Sequence, residues 1–265
     1  MALPSSQRPI ALVTGASAGI GAAFANFLAK EGHDLVITAR DLVRLEEFAT
    51  KLRAEHQIEV EVIKADLATN EGIKVIELRL ENISRPIEVL INNAGFGTNK
   101  SFVLSDRQAE NDLLDVLVRA PIRFMHAVLP AMRERNSGTI INVSSVAGWI
   151  AGGSYSAAKS YLTVLSESLH TELKNTNVKV HALCPGFTRT EFHQRGRMKM
   201  NGLPEFLWLD AGKVVAHAWQ SSQRGKALSV PGLQYKLLTF LMRYLPRPLV
   251  RKAGMNVRTR QRQKP

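Results

Sequence analysis

The chain has 265 residues, 45% of them hydrophobic, enough for one domain with a sizeable core. A single cysteine, Cys184, excludes an internal disulfide framework and suits a reducing compartment. The net charge of +12 is lopsided: twelve Lys and Arg and no Asp or Glu follow Asp210, whereas residues 1–210 balance 23 basic against 23 acidic residues.

The N-terminus, MALPSSQRPI, lacks the apolar core of a signal peptide, and no apolar run reaches the roughly 20 residues of a membrane span. The expected location is the cytoplasm. Residues 10–14 read as a buried strand that breaks into glycine at Gly15, Gly19 and Gly21 and continues as a helix over 18–30. Strand, glycine turn and helix together form a place where backbone N–H groups and a helix dipole meet a pyrophosphate. A second strand is expected at 34–38, a helix at 42–56, a third strand at 58–64 and a helix at 71–82. A fourth strand, 87–92, runs into the sequence NNAG. A long helical pattern over 106–135 carries an expected interruption near Pro121. Residues 138–144 form a fifth strand, 154–175 a helix and 178–183 a sixth strand ending at Cys184, Pro185 and Gly186. The alternation predicts an α/β fold, a doubly wound parallel sheet of the Rossmann-like type with its ligand at the strands' carboxyl ends. Beyond Pro185 the pattern loosens. A loop with short helices is expected over about 187–209, a helix over 210–220 and a last short strand at 227–230.

Tyr155 and Lys159 stand four apart at the start of a predicted helix and share one face. An ammonium beside a phenol favours the phenolate, so such a tyrosine can give or take a proton near neutral pH. In isolation the commoner reading of such a pair is surface decoration of a helix. Its setting changes that. TGASAGIG at 14–21, Asp66, NNAG at 92–95, SSVAG at 144–148, YSAAK at 155–159 and PGFTRT at 185–190 occur in one order. In that order the chain resembles the short-chain dehydrogenases/reductases over roughly residues 8–190, particularly members of the ketoacyl reductase type.

The resemblance implies the following roles. Gly15, Gly19 and Gly21, with Ile20, shape the dinucleotide loop, and Ser17 touches a phosphate. Asp66 accepts from the adenine amino group with Leu67 beside it, and Asn92, Ala94 and Gly95 line the adenine ribose side. Ser145 holds the substrate oxygen, Tyr155 exchanges its proton, and Lys159 binds the nicotinamide ribose and tunes Tyr155. Pro185, Gly186, Thr188 and Thr190 seat the carboxamide. Plainer readings stand beside some of these: Asp66 as a helix N-cap, Thr190 as a loop hydroxyl and Ser144 in place of Ser145. The second strand ends at Ala39 followed by Arg40, with no carboxylate to repel a 2′-phosphate and a guanidinium able to pair with it. NADP is therefore expected over NAD; the alternative for Arg40 is a solvated charge. Asp41 is expected to cap the next helix.

Two departures from the family pattern stand out. Aligning on VRAPIRFMHAVLPAM puts Leu117 where the family carries an asparagine that holds a water beside the lysine. Asn111, six residues earlier, lies about 240° around the helix and is no substitute. Ser145 and Tyr155 are ten residues apart, shorter than is common in the family, so the glycine-rich VAGWIAGGS is expected to open the pocket or to bring Trp149 against the substrate.

The expected activity is a metal-free, NADPH-dependent interconversion of a ketone and a secondary alcohol. The seven histidines are scattered, with no zinc-type spacing. Residues 148–154 and 187–209 form the expected pocket wall, where Phe187, Phe192, Met198, Met200, Phe206, Leu207 and Trp208 point to a lipophilic substrate, such as a 3-ketoacyl or steroid-like group. The alternative is a non-catalytic NADP-binding protein on the same fold, suggested by Leu117. Nucleic-acid binding is not expected, because aromatic residues are missing from the basic stretch after Tyr244. A homo-oligomer is expected from the resemblance. The catalytic domain is read as 1–232, followed by a basic extension, 233–265. Its first part, LQYKLLTFLMRYL, reads as an apolar helix that either meets an anionic membrane surface or covers the pocket or a subunit interface.

Overall fold

The computed structural model describes residues 8–98, 100–192, 204–252 and 254. Met198 and Met200 lie outside them, as does the sequence from 255 onward.

Seven parallel strands form one sheet in the order β3-β2-β1-β4-β5-β6-β7. They are β1 Ile10–Thr14, β2 Asp34–Ala39, β3 Val60–Lys64, β4 Ile87–Asn92, β5 Gly138–Val143, β6 Val178–Leu183 and β7 Leu228–Ser229. β1 and β5 are buried at every residue, as a strand covered on both faces must be. Helices α1 (Gly19–Lys30), α2 (Leu42–His56) and α7 (Ala211–Gln223) belong with one face, where Phe24, Leu28, Leu45, Leu52 and Val215 pack with the strands. Helices α3 (Asn70–Leu80), α5 (Ala120–Glu134) and α6 (Ser154–Glu172) belong with the other, through Ile73, Ile76, Phe124, Val128 and Leu162. α4 (Arg107–Leu114) leads into α5, and α8 (Leu233–Tyr244) follows β7. The strand order reverses between β1 and β4, and the crevice at that switch point is where such sheets take ligands.

Local chemistry sets the element ends. Asp41 caps α2 by accepting from the Arg44 N–H at 3.1 Å, as expected. The cap of α3 is Thr69, whose hydroxyl accepts from the Gly72 N–H at 3.1 Å. Asp66 instead closes a tight turn, accepting from the Ala68 N–H at 3.1 Å, so the helix-cap reading of Asp66 is corrected. The expected break in the long helix is a π-helical turn over Asp115–Arg119, followed by α5 with Pro121 in its first turn. Proline has no N–H to give to the carbonyl four residues earlier, that of Leu117, so the ladder widens there. β3 starts two residues later than expected, and α6 ends three residues earlier.

Candidate active site

A cavity of about 980 Å³ runs along the carboxyl ends of the strands. It is lined by Gly15, Ser17, Gly19 and Ile20 after β1, by Ala39 and Arg40 at the end of β2, and by Asp66 and Leu67 after β3. Ala94 and Gly95 after β4, Ser145 after β5, Tyr155 and Lys159 on α6, and Pro185, Gly186, Thr188 and Thr190 after β6 complete the set. Of the residues expected to bind the cofactor or carry the chemistry, Gly21 and Asn92 are absent from this lining; of those expected in the pocket wall, Trp149, Phe206, Leu207 and Trp208 are absent too.

The absences of Gly21 and Asn92 each have a packing reason. Gly21 lies against the turn itself: a Cβ there would stand 2.3 Å from the Gly15 carbonyl oxygen. Its work is to let α1 approach the turn. Asn92, still within β4, points into the sheet interior and donates to Asn142 on β5 at 2.9 Å. It is 3% exposed. The cavity receives the next residue instead. Asn93, not singled out by the sequence reading, donates from its amide to the Thr14 carbonyl at 2.8 Å and to the Gly15 carbonyl at 3.3 Å. The Thr14 hydroxyl accepts the N–H groups of Asn93 and Ala94 at 2.9 and 3.0 Å. The glycine turn is thus tied to the end of β4. Gly15 adopts φ +66, and a Cβ there would stand 2.9 Å from the Ala94 Cα, so the turn demands glycine on two counts.

The helix after this turn begins at Gly19 with Ala18 at its cap position, and no side chain caps it. Its first N–H groups therefore face the cavity as donors for an anion. Arg40 is exposed at the same rim. Farther along the rim, Arg44 on α2 makes a bidentate contact with Glu191, with one arm at 2.8 Å, tying α2 to the loop after β6. That carboxylate raises the Arg44 pKa.

At the other end, Lys159 is 4% exposed, and its ammonium donates to the Val143 carbonyl at 2.6 Å. Burial pushes its pKa from 10.5 down to about 8. The ammonium stands 5.8 Å from the centre of the Tyr155 ring. Ser144 also lines the cavity, but its hydroxyl is engaged with the Lys159 carbonyl and the Thr163 hydroxyl, both at 2.7 Å. The Ser145 hydroxyl accepts the Ala147 N–H at 3.1 Å and faces the cavity. The two hydroxyls thus differ in partner: that of Ser144 is held by α6 and that of Ser145 by the backbone two residues on. Leu117, 1% exposed, packs with Leu113, Ala158 and Tyr155; its Cδ2 would lie 2.8 Å from a Cβ at Gly95. That same Cβ position is 3.8 Å from the Lys159 ammonium, so Gly95 lies between the leucine and the lysine end of the site.

The apolar end differs from expectation. Phe187 and Phe192 line the cavity, and Phe192 stacks near Tyr155 with ring centres 5.9 Å apart. Phe206 is 68% exposed. Trp149 does not reach the cavity lining: it packs against the cluster of Ala182, Cys184, Val230 and Tyr235, and Ile150 and Gly152 line the cavity in its place. Leu238 and Met242 of α8 supply wall that the sequence reading left open. α8 is fixed there by Tyr235, whose hydroxyl donates to the Leu207 carbonyl at 2.6 Å and accepts the Phe187 N–H at 3.0 Å. The Tyr235 ring fills the space where a Cβ of residue 186 would be, within 2.0 Å, which makes Gly186 a packing requirement.

Known proteins resemble this chain in sequence and in fold. The short chain dehydrogenase family model matches residues 9–201. An uncharacterized oxidoreductase of Myxococcus xanthus is 31% identical over 256 residues, covering 94% of this chain and 97% of its own. One from Staphylococcus saprophyticus is 33% identical over 187 residues, covering 69% and 80%. Among solved structures, a short-chain dehydrogenase from Sphingobium yanoikuyae in complex with NADPH is 34% identical with a TM-score of 0.81, covering 90% of this chain and 97% of its own. A bulky-bulky ketone specific alcohol dehydrogenase from Comamonas testosteroni is 33% identical with a TM-score of 0.77, covering 90% and 95%. A glycine turn tied to β4, a buried lysine beneath a tyrosine one helical turn away, and this extent of matching sequence have one joint explanation: the chain belongs to the short-chain dehydrogenase family, oxidoreductases that use a nicotinamide cofactor.

Proposed function

We propose that the protein is an NADPH-dependent oxidoreductase that interconverts a ketone and a secondary alcohol on a lipophilic substrate. The observation that carries this reading is the convergence of Ser145, Tyr155 and Lys159 on one cavity whose lining includes Phe187, Phe192, Leu238 and Met242. The nicotinamide cofactor supplies the hydride. Ser145 holds the substrate oxygen by a hydrogen bond. Tyr155 gives that oxygen a proton in reduction and removes it in oxidation. The buried Lys159 ammonium favours the phenolate and binds the ribose beneath it. The uncapped start of α1, with Ser17, takes the pyrophosphate, Asp66 the adenine amino group, and Arg40 the 2′-phosphate. Pro185, Gly186, Thr188 and Thr190 seat the carboxamide.

The NADPH bound to the Sphingobium protein and the bulky ketones named for the Comamonas enzyme support the cofactor and substrate classes. The test is hydride transfer from NADPH and NADH to a panel of ketoacyl thioesters, steroids and bulky aryl ketones. A preference for NADH, or activity confined to small polar carbonyls, overturns the reading. Leu117 favours a second reading, a binding protein without turnover. Tyr155→Phe separates them: in a catalyst it lowers kcat by about 10²- to 10⁴-fold and leaves NADPH binding in place. We also read the chain as a homo-oligomer. Leu114, Tyr161 and Val164 leave apolar surface exposed on α4 and α6, and a monomeric mass by light scattering refutes that assignment.

A further inference from the structure

α8 has two apolar faces. Tyr235, Thr239 and Met242 face inward, onto the Pro185–Gly186 loop or the cavity. The opposite face carries Leu233, Leu237, Phe240, Leu241 and Tyr244, which fall on one stripe about 100° wide. These five side chains are 46–80% exposed, and Leu249 just beyond is 52% exposed. Phe240 and Tyr244 stack with ring centres 4.9 Å apart, which makes the stripe continuous. An apolar surface of that kind on a described face calls for an occupant.

Its surroundings identify the occupant. Lys236 and Arg243 flank the stripe on one edge, and Arg247, Arg251 and Lys252 follow it, all exposed. No Asp or Glu occurs anywhere after Asp210, and Arg258, Arg260, Arg262 and Lys264 extend the same charge in sequence. A second copy on a twofold axis would bring these basic groups against their own kind, a repulsive arrangement. A nucleic-acid backbone offers no partner for the leucines. The helix has 12 residues, too short to span a bilayer. An anionic lipid surface satisfies both features at once: acyl chains take the apolar stripe, and headgroups take the Lys and Arg.

We infer that the outer face of α8, with Arg247, Arg251 and Lys252 after it, docks the protein on the surface of an anionic membrane. The helix lies in the interfacial plane while its inner face, through Leu238 and Met242, still walls the cavity.

The test is co-sedimentation of the full-length protein with vesicles of phosphatidylserine and phosphatidylcholine in equal parts, beside vesicles of phosphatidylcholine alone. Binding to the mixed vesicles is expected, much weaker binding to the neutral ones, and a decline with salt. Arg247→Ala with Arg251→Ala lowers affinity for the mixed vesicles by about 30-fold, since each surface cation near the membrane contributes about fivefold. Leu237→Glu with Leu241→Glu abolishes binding at an unchanged melting temperature, because both side chains are exposed and make no wall of the cavity. Equal, negligible sedimentation with and without vesicles overturns the inference. So does a stable dimer that the leucine variants convert to monomer in the absence of vesicle binding, which assigns the stripe to a second copy. Reductase assays are not used here, so failure of the catalytic reading leaves this test intact.

Discussion

Replacing Lys159 with methionine removes a buried charge whose cost follows from the structure. Lys159 is 4% exposed, forms none of the ion pairs among the described residues, and donates to the Val143 carbonyl at 2.6 Å. Burial lowers its pKa from 10.5 to about 8, which corresponds to about 3 kcal/mol of unfavourable charge burial. The methionine side chain has similar length and no charge, so Lys159→Met recovers that cost and loses one hydrogen bond of about 1 kcal/mol. Near pH 7 the variant is therefore about 2 kcal/mol more stable than the natural chain. The sign with pH is fixed. Below pH 8 the lysine is protonated in both states and the full cost is present. Between about 8 and 10.5 the folded state binds fewer protons than the unfolded state, so the stability of the natural chain rises with pH. Above 10.5 the cost is gone and the variant is the less stable by its missing hydrogen bond. Urea unfolding of both cofactor-free chains near pH 7 and above 10.5 measures this. A variant less stable near pH 7, or a difference that does not change with pH, refutes the reasoning. The proposed role of Lys159 predicts that hydride transfer is lost at every pH in this variant.

Arg40→Ala removes the proposed partner of the 2′-phosphate; the ratio of kcat/KM for NADPH over NADH falls about tenfold, the worth of one charge-assisted hydrogen bond, and steady-state kinetics with both cofactors checks it. Tyr235→Phe leaves the Leu207 carbonyl without its donor and the Phe187 N–H without its acceptor; stability falls by about 1–3 kcal/mol in denaturant titration, and the KM for bulky ketones rises more than kcat changes, because α8 walls the cavity. Leu117→Asn puts a polar amide in the buried cluster of Leu113, Ala158 and Tyr155 in place of hydrocarbon. It lowers stability by about 2–5 kcal/mol, as truncation of a buried leucine does, and moves the pH dependence of kcat. An unchanged pH profile in a folded variant removes any part for this position in proton supply.

By itself the sequence determined the sheet, its helices and one end of the chemistry. Strand and helix periods are local, and buried runs such as IALVT and GTIINV carry their own signal. The Tyr155–Lys159 pairing is likewise set by one helical turn, and the order of glycine turn, NNAG and YSAAK points to the family before any contact is seen. What tertiary structure alone decided are the contacts between distant segments and the direction of single side chains. One residue of pleat separates Asn92, buried against Asn142, from Asn93, which ties the glycine turn to β4. One residue separates Ser144, whose hydroxyl is spent on Lys159 and Thr163, from Ser145, whose hydroxyl accepts a local N–H. The Tyr235 hydroxyl lies 48 residues from Phe187 in sequence, and Arg44 lies 147 from Glu191. Neither spacing carries a periodic signal, so both contacts were invisible in the chain. The two faces of α8 were legible as hydrophobicity, but which face turns inward depends on where the ring of Tyr235 finds room, and that room is made by the missing Cβ of Gly186. The state of Lys159 was equally hidden. Composition counts it as one more cation, and only its enclosure at the end of β5, where it is 4% exposed, turns it into a buried one, because desolvation is a property of the surroundings and not of the residue.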